Sequence, residues 1–357
     1  MMLRKLELTN FRNIEKLSMS FEKDKKVTVL IGENAQGKTN FLESIYFLAI
    51  TRSFRTKQFT DTIMWGREHG RIKGRIETQD EECELEVAFT SQKRRKLKKK
   101  NVEVESRKYI QSLNVVLFVP EDVHIATGDP ETRRRYLNLT SIQSFPGFLE
   151  TLVTYTRALR SRNELLKKRA PISHIEIWDE KLAELGVDIW DKRTQLLEFF
   201  SRGISDKYRE LSGSNQDLTI KYKASPKTKD DYLKALKESY EQDVARHTTH
   251  FGPHRDDFKI YIDDEPIKKY GSRGECRTAV LALKLVELEF LTSLTGQKPL
   301  LLLDDVLSEL DHGRQKHLVE IILDHQTVLT TTCREHLGGF TDEIKVFQMK
   351  DGEIVGA

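Results

Sequence analysis

Gly32-Glu33-Asn34-Ala35-Gln36-Gly37-Lys38-Thr39 is the stretch that decides how this chain is read. It fits the pattern G-x-x-x-x-G-K-[ST], in which free backbone N–H groups cradle phosphate oxygens. Its flanks suit that task. Lys26-Val27-Thr28-Val29-Leu30-Ile31 is a short β-branched, apolar run that reads as a buried strand. Asn40 to Ala49 carries apolar residues at helical spacing. Strand, glycine loop and helix start make an anion site, because unpaired N–H groups and the positive helix end point at one place. Gly32 and Gly37 let the backbone wrap the phosphates, and the whole span Gly32, Glu33, Asn34, Ala35, Gln36, Gly37, Lys38, Thr39 and Asn40 is expected to line the ligand. Lys38 is expected to reach the β and γ oxygens, binding and assisting catalysis, and the Thr39 hydroxyl to ligate magnesium. The reading predicts a bound nucleoside triphosphate.

A phosphate loop needs an acidic magnesium partner at the end of an apolar strand. Leu300-Leu301-Leu302-Leu303-Asp304-Asp305 supplies it. Asp304 closes the run as the expected metal ligand, and Asp305 is placed to orient or deprotonate an attacking water. Loop and carboxylates lie near opposite ends of the chain, so a large insertion between two halves of one α/β domain is implied.

Composition sets the outer bounds. A chain of 357 residues is long enough for two domains, or for one domain with an insertion. Its 59 basic and 56 acidic residues leave a net charge of only +3, so any case for nucleic acid must rest on local clusters. Cys83, Cys276 and Cys333 are scattered, without a C-x-x-C pair, which suggests neither a disulfide framework nor a zinc site and fits a reducing compartment. The first residues alternate like a strand rather than a signal peptide, and no run approaches the roughly 20 apolar residues of a membrane span. A cytoplasmic protein without a membrane partner is expected.

Alternating segments Gly70–Glu77 and Cys83–Thr90 read as half-exposed antiparallel strands, and the basic run Lys93 to Lys100 as a hairpin tip. From about Pro130 to Glu241 the pattern is mainly helical. The expected division is an ATPase head from residues 1–125 and 245–357, with residues 126–244 as a mainly helical insertion.

Three further features fix the type. Ser272-Arg273-Gly274-Glu275-Cys276 precedes a helix upstream of the acidic strand, and Ser308-Glu309-Leu310-Asp311 follows that strand. This order resembles the signature and D-loop of ABC-type ATPases, and the split arrangement resembles their SMC branch, whose members act on DNA. Within that branch the chain resembles the RecF family. The resemblance is carried by Asn10-Phe11-Arg12-Asn13, Arg52-Ser53-Phe54-Arg55-Thr56, Phe118-Val119-Pro120-Glu121-Asp122, Gly128 to Leu137, Arg162-Asn163-Glu164-Leu165-Leu166, Gly252-Pro253-His254-Arg255-Asp256-Asp257 and Leu303 to Asp311, in the family's order over nearly the whole chain.

The resemblance implies an α/β, ABC-type ATPase head, a P-loop NTPase fold formed by both chain ends, with a helical inserted lobe. It implies ATP and magnesium as cofactors, and ATP sandwiched between two copies of the chain. Ser272 and the Gly274 backbone of one copy would then face the γ-phosphate held by the other, and Asp311 would lie across that interface. Arg12 and Asn13 resemble positions near the nucleotide, and Glu121-Asp122 stands where relatives carry the Q-loop glutamine. The implied function is ATP-dependent DNA binding in recombinational repair: loading recombinase onto gapped single-stranded DNA with the mediator RecR, and supporting SOS induction. The DNA partner, whether single-stranded, duplex or a gapped junction, is left open. The signature departs from S-G-G-Q while keeping Ser272 and Gly274. Val328-Leu329-Thr330-Thr331-Thr332 offers threonines where many relatives have a histidine, and a threonine cannot carry charge. Slow hydrolysis, a timer rather than a motor, is therefore expected.

The cluster from Lys93 to Lys100, with Arg133-Arg134-Arg135, Arg157, Arg160, Arg162, Lys167, Lys168 and Arg169, is the basic material for phosphate contacts; a solvated face is the alternative. His250 and His254 lack the geometry of a metal pair, Asp256-Asp257 reads as structural or as a partner for Arg255, and Trp65, Trp178 and Trp190 read as core or helix-packing residues. Two other functions stay open: an ABC transporter's ATPase subunit, and a structural ATP-gated DNA clamp without useful turnover.

Overall fold

The computed structural model describes every residue except 79–80, 223–225, 227, 338–343 and 357. The chain forms two compact units, residues 1–122, 210–213 and 287–357 in the first and 123–209 and 214–286 in the second. The expected division assigned 245–286 to the head. Those residues group instead with the helical unit, because Phe258–Ile262 pairs with Leu218–Tyr222 in a three-stranded antiparallel sheet of that unit.

The first unit holds two six-stranded sheets. One is parallel apart from an edge hairpin, in the order Glu353–Gly356, Ile344–Lys350, Val27–Ile31, Thr327–Thr331, Leu300–Asp304, Val115–Phe118. Strands Val27–Ile31 and Leu300–Asp304 are almost wholly apolar because both faces are covered. Register does the positioning. Thr331 lies opposite Ile31, and Thr330 lies opposite both Leu30 and Asp304, so strands from the two chain ends finish level. In open α/β sheets ligands gather outside such carboxyl ends.

The second sheet of this unit is antiparallel, in the order Ile14–Ser20, Met2–Phe11, His69–Glu77, Glu82–Thr90, Arg95–Lys99, Val102–Glu103. Helix Lys38–Ile50 packs against strands of both sheets, which explains why nearly all its residues are buried rather than one stripe. Phe47 meets Phe11 and Phe89 at ring-centroid distances of 6.1 and 5.2 Å. Gly74 is required by this packing: a Cβ there would lie 2.3 Å from Leu48 Cδ2.

Two expectations change here. The basic run is only partly a hairpin tip: Lys93 and Arg94 lie in the turn after Glu82–Thr90, whereas Arg95–Lys99 is a strand, and three cations of the run meet glutamates. Lys98 pairs with Glu86 at 3.2 Å and Lys96 with Glu103 at 3.4 Å, while Lys100 pairs with Glu81. Trp65 is not a core residue but is 97% exposed, whereas Trp190 is buried.

The second unit holds helices Pro130–Ser144 and Phe148–Lys167 and most of Ile172–Ser212, and buried ion pairs tie Phe148–Lys167 to Ile172–Ser212 and Pro130–Ser144 to Asp257. Arg162 is fully buried and reaches Asp179 at 2.5 Å and Asp243 at 2.6 Å. Arg133 grips Asp257 with two hydrogen bonds, at 2.6 and 3.0 Å. Asp256 accepts from Tyr222 at 2.7 Å and from Trp190. The motif acids are thus struts of this unit, and their partners include Arg133, Arg193, Tyr222 and Trp190. His250 meets Asp243 at 2.9 Å. His254 bridges the Tyr155 hydroxyl at 2.7 Å and the Thr249 carbonyl at 3.0 Å.

Burial lowers the His254 pKa to about 4, from an ordinary 6.5. The folded value lies below the unfolded one, so its stabilising share is whole above pH 6.5 and shrinks as pH falls toward 4. By linkage the loss between pH 7 and pH 5 is about 2 kcal/mol. Urea midpoints at the two pH values should differ accordingly, and His254→Gln should flatten that part of the dependence.

Candidate functional site

The loop Gly32–Gly37 leaves the central strand with Ala35 at φ 66° and Gly37 at φ 106°, left-handed turns that curl the backbone round a concave space. Lys38 Nζ donates to the carbonyls of Gly32 and Glu33, at 2.6 and 2.7 Å. Its pKa is lowered by burial, against the opposing pull of Asp305 and Asp304. The ammonium therefore sits in the loop, held by neutral acceptors.

Thr39 and Asp304 meet as the spacing required. The Thr39 hydroxyl lies 2.9 and 2.8 Å from the two Asp304 carboxylate oxygens. Thr330 donates to Asp304 Oδ1 at 2.7 Å from the adjacent strand, fixing the carboxylate from its other side. Burial raises the Asp304 pKa; the Thr330 and Thr39 hydrogen bonds oppose this, and the charges of Asp305 and Glu121 add to it. Asp305 takes a left-handed φ of 51°, its N–H reaching the Thr330 carbonyl and hydroxyl at 3.2 and 3.1 Å. Its Oδ1 is buried without a hydrogen-bond partner. A hydroxyl, a buried carboxylate and a second carboxylate with an orphaned oxygen fit a hard divalent cation, which typically takes one or two carboxylates and completes its shell with phosphate and water.

Arg12 and Asn13 are arranged differently from each other. Arg12 makes a bidentate pair with Glu43 of the loop helix, at 2.8 and 2.7 Å, and donates to the Asp61 carbonyl at 2.7 Å. Glu43 is fully buried and also accepts from Ser53 at 2.5 Å, with Arg55 3.6 Å away. Arg12 thus braces the helix behind the loop. Asn13 lies on the loop itself: its Oδ1 accepts from Asn40 at 2.8 Å, and a Cβ on Gly37 would approach its amide to 2.9 Å.

Ser272 and Gly274 lie in the second unit. Ser272 caps helix Arg273–Thr295: its Oγ accepts the Glu275 N–H at 3.2 Å, while the Glu275 carboxylate accepts the Ser272 N–H at 2.7 Å. This is a reciprocal capping box, and the Ser272 hydroxyl also reaches the Glu275 carboxylate. Hydrogen bonding to Ser272 lowers the Glu275 pKa, and Gly274 contributes a carbonyl to Thr278 at 2.8 Å. Asp311 likewise caps helix His312–Asp324, accepting the Arg314 N–H at 3.0 Å. Two contacts escaped sequence reasoning. Thr330 stands at the histidine position, but the sequence does not show its hydrogen bond to Asp304. The Asp351-Gly352 turn, which meets Gln36, was signalled by a hairpin-type dipeptide.

The family described as RecF/RecN/SMC N terminal domain matches residues 2–355. DNA replication and repair protein RecF of Lactococcus lactis subsp. cremoris (strain MG1363) is 38% identical over 360 residues, 99% of each chain. The chain belongs to the RecF family. The RecF of Bacillus mycoides (strain KBAB4) is 37% identical over 371 residues, covering 99% of this chain and 98% of that protein. A solved structure of the recombination mediator protein RecF-ATP in the RecFOR pathway matches with a TM-score of 0.91 and 33% identity, over 100% of this chain and 99% of the other. An Smc head domain from Pyrococcus furiosus, with a TM-score of 0.58 and 17% identity over 99% and 96% of the two chains, shares the fold. RecF membership bears out the ABC-type, SMC-like head with its helical insertion, and it removes the transporter-subunit alternative.

The Arg12–Glu43 pair yields a direct expectation. Arg12→Ala strands a buried carboxylate and should cost about 3 kcal/mol or more in urea unfolding. Arg12→Lys should recover only part of this, since an ammonium cannot reproduce the two-pronged grip.

Proposed function

We propose that this RecF-family chain is an ATP-dependent DNA-binding protein of recombinational repair and replication-gap processing, and that ATP closes two copies into a dimer on DNA. The observation that carries the reading is the convergence of Lys38, Thr39, Asp304 and Asp305 at the level ends of strands from opposite halves of the sequence. The similarity to a RecF-ATP structure supports ATP as the nucleotide.

In this reading the amides from Gly32 to Thr39 hold the phosphates, and Lys38 exchanges its two carbonyl partners for phosphate oxygens. Asn13 and Asn40 flank the loop; Arg12 acts from behind, through Glu43. Thr39 and Asp304 would hold magnesium, which would supply positive charge to offset that of the phosphates. Asp305 orients the attacking water with the oxygen that has no internal partner. Ser272 offers its hydroxyl, and Gly274 its backbone, to the γ-phosphate of the partner copy, while Asp311 lies at the interface between copies. Thr330 spends its hydroxyl on Asp304, and the threonines at that strand end cannot carry the charge of an imidazole, so turnover is slow. Hydrolysis times release of the dimer.

DNA is held through backbone phosphate, with strong salt dependence. The exposed cations of helix Phe148–Lys167, Arg157 and Arg160, and its end at Lys168 and Arg169 carry this role together with the exposed Lys93 and Arg94 of the basic run, whose Lys96, Lys98 and Lys100 are matched by glutamates. The setting is the cytoplasm, with RecR as a mediator partner, recombinase loading on gapped DNA as the outcome and support of SOS induction as a consequence. Among the described residues no helix is long and apolar enough to cross a membrane.

Sedimentation with ATP, magnesium and a gapped duplex tests the proposal. The wild type should dimerise on DNA, Lys38→Met should stay monomeric, and Asp305→Asn should accumulate the ATP-bound dimer. Equal DNA binding by wild type and Lys38→Met would overturn the nucleotide switch. An Asp305→Asn protein indistinguishable from wild type would point to the clamp without useful turnover.

A further inference from the structure

The phosphate loop is gripped from behind by a turn that the sequence places more than three hundred residues away. Strands Ile344–Lys350 and Glu353–Gly356 form a hairpin whose two-residue turn, Asp351-Gly352, has φ values of 49° and 84°. That is the left-handed pair that matches the twist of its strands. The turn meets Gln36 at two points. Asp351 N–H donates to Gln36 Oε1 at 2.6 Å, and Gly352 N–H donates to the Gln36 carbonyl at 2.9 Å. The hairpin also touches both glycines of the loop. A Cβ on Gly32 would lie 2.4 Å from the Met349 carbonyl oxygen, and one on Gly37 would lie 3.1 Å from the Met349 methyl. A Cβ on Gly352 would come within 2.5 Å of the Asn13 carbonyl oxygen, so the hairpin turn, the Asn10–Asn13 turn and the loop interlock.

The loop needs outside support. Ala35 sits at φ 66°, a conformation that costs a non-glycine residue of order 1 kcal/mol. Apart from the Gly32 N–H, which reaches the Thr331 carbonyl at 3.3 Å, the amides that are to face phosphate must stay unpaired, so the backbone cannot brace itself. Gln36 supplies what is missing. Its side chain and carbonyl point to the hairpin, leaving the concave side of the loop clear.

We propose that the hairpin Ile344–Gly356 is a splint that holds the phosphate loop in its nucleotide-ready shape, with Gly352 and the side chain and carbonyl of Gln36 as positioning groups that face away from the nucleotide. This rests on the nucleotide-binding reading of the loop. It reassigns Gln36 from lining the ligand to presenting the amides that do. Pre-organisation of this kind raises affinity by removing the ordering cost at the moment of binding.

Two measurements separate the splint from the reading beneath it. The first is hydrogen exchange of the segment 32–39 without nucleotide. Gly352→Ala, which forces a side chain into the left-handed turn and against Asn13, should speed exchange there at least tenfold. Gln36→Ala should do the same. Gln36→Glu still offers an oxygen to the Asp351 N–H and should restore most of the protection. The second is equilibrium binding of a fluorescent ATP analogue with magnesium. Gly352→Ala should weaken it about tenfold, the scale of one or two lost hydrogen bonds, with turnover at saturation within twofold of wild type. Unchanged exchange in both folded variants overturns the splint. Faster exchange with unchanged affinity also overturns it. A wild type that binds no ATP, with exchange still accelerated in the variants, would instead sink the nucleotide reading and leave the brace itself standing.

Discussion

The structure turns on one carboxylate. Asp304 ends a buried strand and is held at once by Thr39, on the helix after the phosphate loop, and by Thr330, on the strand between. These contacts form only if Val27–Ile31, Thr327–Thr331 and Leu300–Asp304 pair in their observed register. A slip of one residue would turn the alternation of a strand inside out and carry Asp304 away from Thr39. Everything else in the first unit serves that alignment. The helix Lys38–Ile50 is clamped between two sheets, Arg12 locks it through Glu43, and the final hairpin closes on the loop from the opposite side. A site assembled from residues nearly three hundred positions apart exists only when both ends of the sequence have folded together.

The second unit shows a different economy. Arg162, fully buried between Asp179 and Asp243, and Arg133, held by Asp257, are expensive to desolvate and weak grounds for stability. Their value lies in uniqueness. A long helix such as Ile172–Ser212 can slide against its neighbours with little change in apolar burial, whereas an ion pair reached by Arg162 at 2.5 and 2.6 Å fits one register only. Tyr155, Tyr232 and His254 extend the same logic, with hydroxyl and imidazole hydrogen bonds that close only in one arrangement.

What the sequence made legible follows from the range of each interaction. The loop, its strand and its helix are local and periodic, and the Leu300–Asp304 run ends where a metal carboxylate belongs, so both could be read and correctly paired. Partners set by tertiary contact could not. Nothing near Arg12 announces that Glu43 will occupy its guanidinium, and nothing in Thr330 announces its bond to Asp304. The run Lys93 to Lys100 looked like a wholly free cationic tip because the partners of Lys100, Lys98 and Lys96, which are Glu81, Glu86 and Glu103, are set by tertiary pairing. Residues 245–286 looked like returning head because strand propensity does not say which sheet a strand will join. Trp65 was misplaced because hydrophobicity alone predicts burial, while the turn it occupies leaves the indole outside.

The most direct measurement is calorimetric titration of ATP into the wild type and Asp304→Asn, each with magnesium and with a chelator. A site in which Thr39 and Asp304 hold the cation predicts tight, magnesium-dependent binding to the wild type, and weak binding to Asp304→Asn that magnesium does not improve. If Asp304→Asn, still folded, kept the full magnesium dependence, the carboxylate would not be the metal ligand and the assembly built around it would need another purpose.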